Sequence, residues 1–363
     1  MRYGFYLSVF MIACFYRGPF AGEIMGDITS NYGEYGGQAC VHQVAKAFGR
    51  VAGNRSKRRD FRFLQETPSL NWFSPIRLTI ADHIQSVARL PGMGNDNWVA
   101  LTHNSQAPGE TGLYLVRFDW IISSGFPWDL EQVLMSKTRS YYYHRFPRFN
   151  HAGGMQALGT QLFIAMECNN KVKCNSEIYV LDVKRPQRPL EISRLLLDGS
   201  YGELGPYINS RASAVAATRL ADKRTLLFIR GVGGGKSGWF FVSKSADLGR
   251  GWEFLGLWEK SRLALKTPWH AWENVNFITE CESGDVFLVG IGTMRDWVNL
   301  YKVTGDLSKK ESPNFEFVAA KNLRTSGLLT SPRNGGGVHD SPAGELAFYI
   351  TDRHPPLKIE EFY

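Results

Sequence analysis

The sequence predicts an all-β protein, a five-bladed β-propeller of four-stranded blades whose last blade is completed by a strand from near the N-terminus. Three observations predict it. Phe61-Arg62-Phe63-Leu64, Trp252-Glu253-Phe254-Leu255 and Phe315-Glu316-Phe317-Val318 share one pattern: aromatic, charged, Phe, aliphatic, with both aromatics on one strand face. Strand-like segments beginning at His83, His151, Arg211, Glu273 and Asn334 recur about every 60 residues. The fifth unit ends at Tyr363 after three strands, whereas Phe61 to Leu64 reads as a fourth strand with no unit before it. Pairing the two closes a ring and removes two exposed sheet edges. An open β-sandwich is the competing arrangement.

Taken in order, the chain begins with an export signal over residues 1–22. Met1-Arg2 is a positive start, Tyr3 to Tyr16 is largely apolar, and Ala21-Gly22 offers small residues for cleavage. The run is too short to span a bilayer comfortably. Met11-Ile12-Ala13-Cys14 is near a bacterial lipobox, which would make Cys14 a lipid anchor. No later segment reaches transmembrane length. Residues 23–59 read as a polar and basic linker or pro-segment, with one short helix within Ala39 to Phe48. Arg55-Ser56-Lys57-Arg58 fits a processing-protease site and Asn54-Arg55-Ser56 a glycosylation sequon, while a solvated basic linker is the plainer reading.

Residues 60–363 form the predicted ring. Second strands begin at Trp98, Leu162, Leu226, Val286 and Leu346, and third strands at Leu113, Ile178, Trp239, Val298 and Leu357. Hydrophobic residues make up 44% of the 363, enough to bury a large core, and 37 Gly and 16 Pro suit many turns. Ser245-Ala246-Asp247-Leu248-Gly249-Arg250-Gly251-Trp252 matches S-x-D-x-G-x-x-W. That stretch resembles the Asp-box hairpin of sialidase-like and other BNR-type β-propellers, and the resemblance implies a fold. Asp accepts from nearby backbone N–H groups, Gly takes a positive φ, and Trp packs beneath.

In this frame the first strands start nearest the axis, so His83, His151, Arg211, Glu273 and Asn334 converge on one mouth, preceded by Asp82, Asn150, Ser210, Trp272 and Arg333. A convergent polar ring at a concave mouth is a binding site, or else a water-filled channel whose groups satisfy each other. Gly153-Gly154 and Gly335-Gly336-Gly337 leave space for a ligand or for close strand packing. Arg211, Asn334, Asn150, Trp272 and Arg333 are the candidate ligand-binding residues for a carbohydrate or small anion, with Trp272 as a stacking platform. Asp82, Glu273, His83 and His151 are the candidate catalytic residues of a hydrolase or lyase, with Asp340 and Glu167 in reserve, because glycoside hydrolysis needs two carboxyl groups. Arg211 argues against a metal among these histidines, and no cofactor is called for. Sialidases use an arginine cluster, a Tyr/Glu pair and six blades, which this chain matches only at Arg211 and in part at Arg333 and Glu273.

Other motifs carry less. Gly231 to Ser237 resembles a phosphate-binding loop but has Arg230 where the first Gly belongs, and it lies between strands. The basic run lacks interleaved aromatics for nucleic acid, and a net charge of +8 fits a solubilising surface. In an exported chain Cys168 and Cys174 suit a cross-strand disulfide, with two free thiols as the alternative, and Cys40 and Cys281 are a pair the sequence leaves open. The expected molecule is a secreted or periplasmic monomer that takes a small molecule or glycan; a protein-interaction scaffold is the third reading.

Overall fold

A computed structural model describes residues 33–35, 38–54, 56–61, 83–90, 97–104, 111–118, 138–168, 175–197, 212–231, 236–264, 272–292, 296–307, 313–324, 335–340, 346–351 and 357–362. The chain opens with β1 (Gly33–Tyr35), β2 (Gln38–Cys40), α1 (Val44–Arg50) and β3 (Ser56–Phe61). A first unit follows: β4 (His83–Arg89), β5 (Asn97–Asn104), β6 (Gly112–Phe118) and β7 (Thr138–Arg145). The second is β8 (His151–Leu158), β9 (Gln161–Glu167), β10 (Ser176–Asp182) and β11 (Leu190–Leu197). The third is β12 (Ala212–Arg219), β13 (Thr225–Gly231), β14 (Ser237–Ser243) and β15 (Trp252–Glu259). The fourth is β16 (Trp272–Thr279), β17 (Val286–Gly292), β18 (Trp297–Thr304) and β19 (Asn314–Asn322), and the fifth is β20 (Gly336–Asp340), β21 (Leu346–Thr351) and β22 (Leu357–Phe362).

The molecule is all-β, and each of the first four units is an antiparallel meander of four strands in sequence order. In the fifth, β22 pairs antiparallel with β3, from Leu357 opposite Phe61 to Phe362 opposite Ser56. The described strand runs through the basic stretch read as a linker up to Phe61, and residues 62–64 of the strand expected at Phe61 to Leu64 lie outside the described residues. Ser56 Oγ donates to Glu360 Oε2 at 3.2 Å.

A separate hydrophobic cluster fills the space between each neighbouring pair of units. One joins Leu113 and Leu115 to Leu162 and Ile164, and the next joins Phe163 and Val180 to Ile229 and Phe241. Another joins Phe228 and Phe240 to Leu288 and Tyr301, and a fourth joins Val289 and Leu300 to Phe348 and Ile350. A fifth joins Tyr349 and Ile359 of the last unit to Leu101 and Val116 of the first. Sheets covered on both faces need apolar residues at every position, which is why Leu226-Leu227-Phe228-Ile229 shows no polar alternation.

The first strands pack against one another in a closed cycle: β4 on β8, β8 on β12, β12 on β16, β16 on β20, and β20 on β4. Their inner side chains cross-link neighbouring backbones. Ser86 Oγ donates to the Gly336 carbonyl and accepts from Met155 N–H, both at 3.1 Å. Gln156 Oε1 accepts from Ala217 N–H and Phe277 N–H, and its Nε2 donates to the Phe277 carbonyl. Asn274 Nδ2 donates to the Gln85 carbonyl, and Asn276 Nδ2 to that of Met155. The glycines are there for close packing: a Cβ on Gly153 would run into the Ser213 backbone, and one on Gly337 into that of Val87.

Residues 39–54 pack onto this assembly rather than lying apart from it. Val41, Val44, Ala47, Phe48 and Val51 join the cluster between the fourth and fifth units. Cys40 is disulfide-bonded to Cys281, and Val41 N–H donates to the Thr279 carbonyl at 2.9 Å. The helix expected within Ala39 to Phe48 forms at Val44–Arg50 and has no capping side chain of its own. Carboxylates from the fourth unit supply one, with Glu280 Oε1 accepting from Val44 N–H and Glu282 Oε2 from Gln43 N–H. At the other end Lys321 Nζ donates to the Gly49 and Val51 carbonyls.

Candidate functional site

The candidate side chains sit where the first strands begin, and four of those strands carry a bulge there. In β4 the register breaks between Ile84 and Ser86, in β12 between Ala212 and Ala214, and in β16 between Trp272 and Asn274. The extra residues are Gln85, Ser213 and Glu273. In β8 the break spans Ala152 to Met155 and the extra residues are Gly153 and Gly154. A bulge adds a residue to one strand and turns its side chain out of the alternating pattern, a recurrent device for aiming side chains at a site.

Gln85 stands between two imidazoles. Its Nε2 donates to His83 Nε2 at 2.5 Å and to His151 Nε2 at 2.9 Å. The other ring nitrogen of His151 is Nδ1. That atom is 2.8 Å from Glu167 Oε1. The Glu167 side chain is 4% exposed, and its Oε2 has no hydrogen-bond partner among the described residues.

The second half of the site is built around Arg230, the penultimate residue of β13. Its guanidinium is 6% exposed, with Nη1 donating to Ser213 Oγ at 2.5 Å and Nη2 3.8 Å from Glu273 Oε2. Its Nε has no partner among the described residues. Burial pushes the guanidinium below its ordinary range, and the Glu273 and Glu167 carboxylates oppose that shift. Both carboxylates thus act on one buried cation, with the Glu273 side chain 27% and the His151 side chain 17% exposed at the mouth.

Of the residues expected here, His83, His151 and Glu273 come together, and Glu167, held in reserve, joins them. Asp82, Arg211, Arg333 and Asn334 lie outside the described residues. Trp272 is a correction. Its indole is fully buried, stacked on Trp258 at 5.9 Å between centroids and edge-on to Tyr301, so no face is left for a sugar. Glu273, the extra residue of the bulge, is partly exposed at the mouth, whereas Trp272 beside it lies in the core. Asn150 is buried as well, and Asp340 stands at the far end of β20. Gln85, Ser213 and Arg230 were missed because an alternating strand has no visible bulge. Paired glycines in β8 were the one available signal. Among the described residues no group of three or more His, Cys, Asp or Glu is placed to hold a metal.

The Asp-box stretch forms the turn between β14 and β15. Asp247 Oδ1 accepts from Gly249 N–H at 3.0 Å, Gly251 has φ 87°, and the buried Trp252 donates from Nε1 to Ser193 Oγ of the second unit. Its chemistry is that of a turn, distant in sequence and contacts from the histidines.

No family model matches the chain, and no curated protein sequence matches it. Several solved structures are similar at low identity. The major Malassezia sympodialis allergen Mala s 1 is 8% identical with a TM-score of 0.39, over 78% of this chain and 96% of that one. A hypothetical protein from Leishmania major is 9% identical with a TM-score of 0.44, over 88% and 92%. A Trypanosoma rangeli sialidase in complex with the inhibitor DANA is 12% identical with a TM-score of 0.42, over 79% of this chain and 46% of that one. Likeness at this level assigns neither ligand nor activity.

Proposed function

We propose that the five units are the blades of a five-bladed β-propeller closed by β3, and that its axial mouth binds a hydroxyl-rich ligand, a neutral carbohydrate. The cycle of first-strand contacts, the five inter-unit clusters and the β3–β22 pairing support the fold. One observation carries the function: Glu167 Oε2 and Arg230 Nε, an acceptor and a donor, are buried beside the mouth without hydrogen-bond partners among the described residues. Unmet buried polar atoms cost about 1–3 kcal/mol each, and a ligand hydroxyl both donates and accepts. Among the described residues two carboxylates face one guanidinium, which favours a neutral ligand over an anion.

The test is a glycan array and thermal-shift screen on the full chain. A binding saccharide raises Tm, and Glu273→Gln weakens that ligand at least tenfold while leaving the unliganded Tm near wild type. Unchanged affinity in Glu273→Gln and His83→Ala places the ligand elsewhere. Glycoside hydrolysis is the second reading, favoured by Glu167 and Glu273 both acting on Arg230, a carboxyl pair in place of Asp82 and Glu273. Reducing-sugar release from the bound saccharide selects it. Export of residues 1–22 belongs to the same proposal. The Cys40–Cys281 bond and the disulfide-bonded Cys168 suit an oxidising compartment, and no helix among the described residues is long and apolar enough to cross a membrane.

A further inference from the structure

Each of the first four units is an antiparallel meander whose first strand starts at the mouth, so the turns after its first and third strands lie at the opposite end. Two turns there, in neighbouring units, are basic. The β10–β11 turn carries Lys184, Arg185 and Arg188, all exposed, and the Asp-box turn between β14 and β15 carries the exposed Lys244 and Arg250. We propose that this end of the second and third units is a docking surface for an anionic lipid bilayer, with the mouth facing away from the membrane.

Charge gives the sign of the partner. Residues 183–190 and 244–251 hold these five basic residues and one acidic residue, Asp247. The carboxylates of these turns and their flanks are engaged. Asp247 Oδ1 accepts from Gly249 N–H, Asp182 Oδ1 accepts from Lys184 N–H, and Glu191 accepts two hydrogen bonds from Arg194. A Lys or Arg held near acidic headgroups strengthens binding about fivefold. Both turns are fixed in place. Val183 N–H donates to the Thr160 carbonyl, Arg188 N–H to the Arg185 carbonyl, and His144 Nε2 of the first unit to the Pro186 carbonyl at 2.8 Å. Ser193 Oγ of β11 donates to the Leu248 carbonyl at 2.9 Å, which seats the Asp-box turn against the second unit. Leu190 decides for lipid over other polyanions. It is 64% exposed, the most exposed large hydrophobic side chain among the described residues, and it stands two positions after Arg188. An apolar side chain beside cations enters the boundary between headgroups and acyl chains, whereas an acidic polysaccharide offers it no apolar partner.

The experiment sediments the oxidised full chain with vesicles of phosphatidylcholine alone, or of equal parts phosphatidylcholine and phosphatidylserine. Binding is expected only to the anionic vesicles. It is expected to fall at least tenfold in Arg185→Ser/Arg188→Ser and at least threefold in Leu190→Ser, with Tm unchanged because these side chains are exposed. Lys236→Ser/Lys260→Ser makes the same charge change at the mouth end and is expected to stay within about twofold of wild type, since charges farther off than a screening length contribute little. Equal binding to neutral vesicles, wild-type binding by either variant of the β10–β11 turn, or equal weakening in the mouth-end pair overturns the proposal. Retention on heparin without sedimentation with vesicles also overturns it and assigns the turns to an acidic polysaccharide.

Discussion

Trp272 carries the aromatic surface on which a sugar would stack, yet it belongs to the core. Gly290 on the neighbouring strand leaves the room its indole occupies, since a Cβ there would meet the ring directly. Next to it in sequence, Glu273 is the extra residue of the bulge and reaches the mouth. Trp272→Ala is therefore expected to cost about 3–5 kcal/mol, the usual range for emptying a large buried aromatic site. Urea unfolding monitored by circular dichroism measures it, and a loss below 1 kcal/mol would contradict the burial. Glu273→Gln removes one charge from a partly exposed carboxylate, so its effect falls on ligand affinity instead.

At the scale of elements, α1 is seven residues long and too short to be stable alone. Its position depends on borrowed partners: Glu280 and Glu282 at its start, Lys321 at its end and over the Phe48 ring, and the Cys40–Cys281 bond beside it. The His42 imidazole, 2.7 Å from Glu282 Oε1, is the main cause holding that carboxyl below its usual range. A depressed carboxyl contributes docking above its unfolded pKa and loses it as pH falls through the folded one. Amides of α1 are therefore expected to exchange faster in Cys281→Ser and again below about pH 4, while those of β17 stay protected. Hydrogen exchange read by mass spectrometry checks this, and equal acceleration in both segments would show that α1 unfolds only with the sheets.

For the whole molecule, β3 is the piece whose sequence position and spatial position differ most. Without it β22 becomes a sheet edge, which presents unpaired backbone groups to other chains. A chain that starts at residue 62 is expected to lose cooperative unfolding or to associate beyond the wild-type state, and a peptide of residues 54–61 added in trans is expected to restore wild-type elution. Size-exclusion chromatography with light scattering reports the outcome. A monomeric shortened chain of wild-type Tm would remove β3 from the account of how the ends are joined.

Much of this architecture was legible in the chain itself. Continuous apolar runs such as Val286-Phe287-Leu288-Val289 mark strands buried on both faces, and their recurrence sets the order of the strands. The unpaired strand near Phe61 and the three-stranded last unit called for each other, and β3 pairs with β22 over Ser56–Phe61. The repeat as read from the sequence set Glu273 level with His83 and His151, whereas the bulges make Glu273 the counterpart of Gln85 and Ser213. Tertiary structure alone decided which neighbour of each pair faces the axis. Bulges at Gln85, Ser213 and Glu273 change the parity of a strand, and parity is fixed by how the inner strands meet, not by local composition. The same holds for Arg230, a charge in an apolar strand whose partners Ser213 and Glu273 come from other strands.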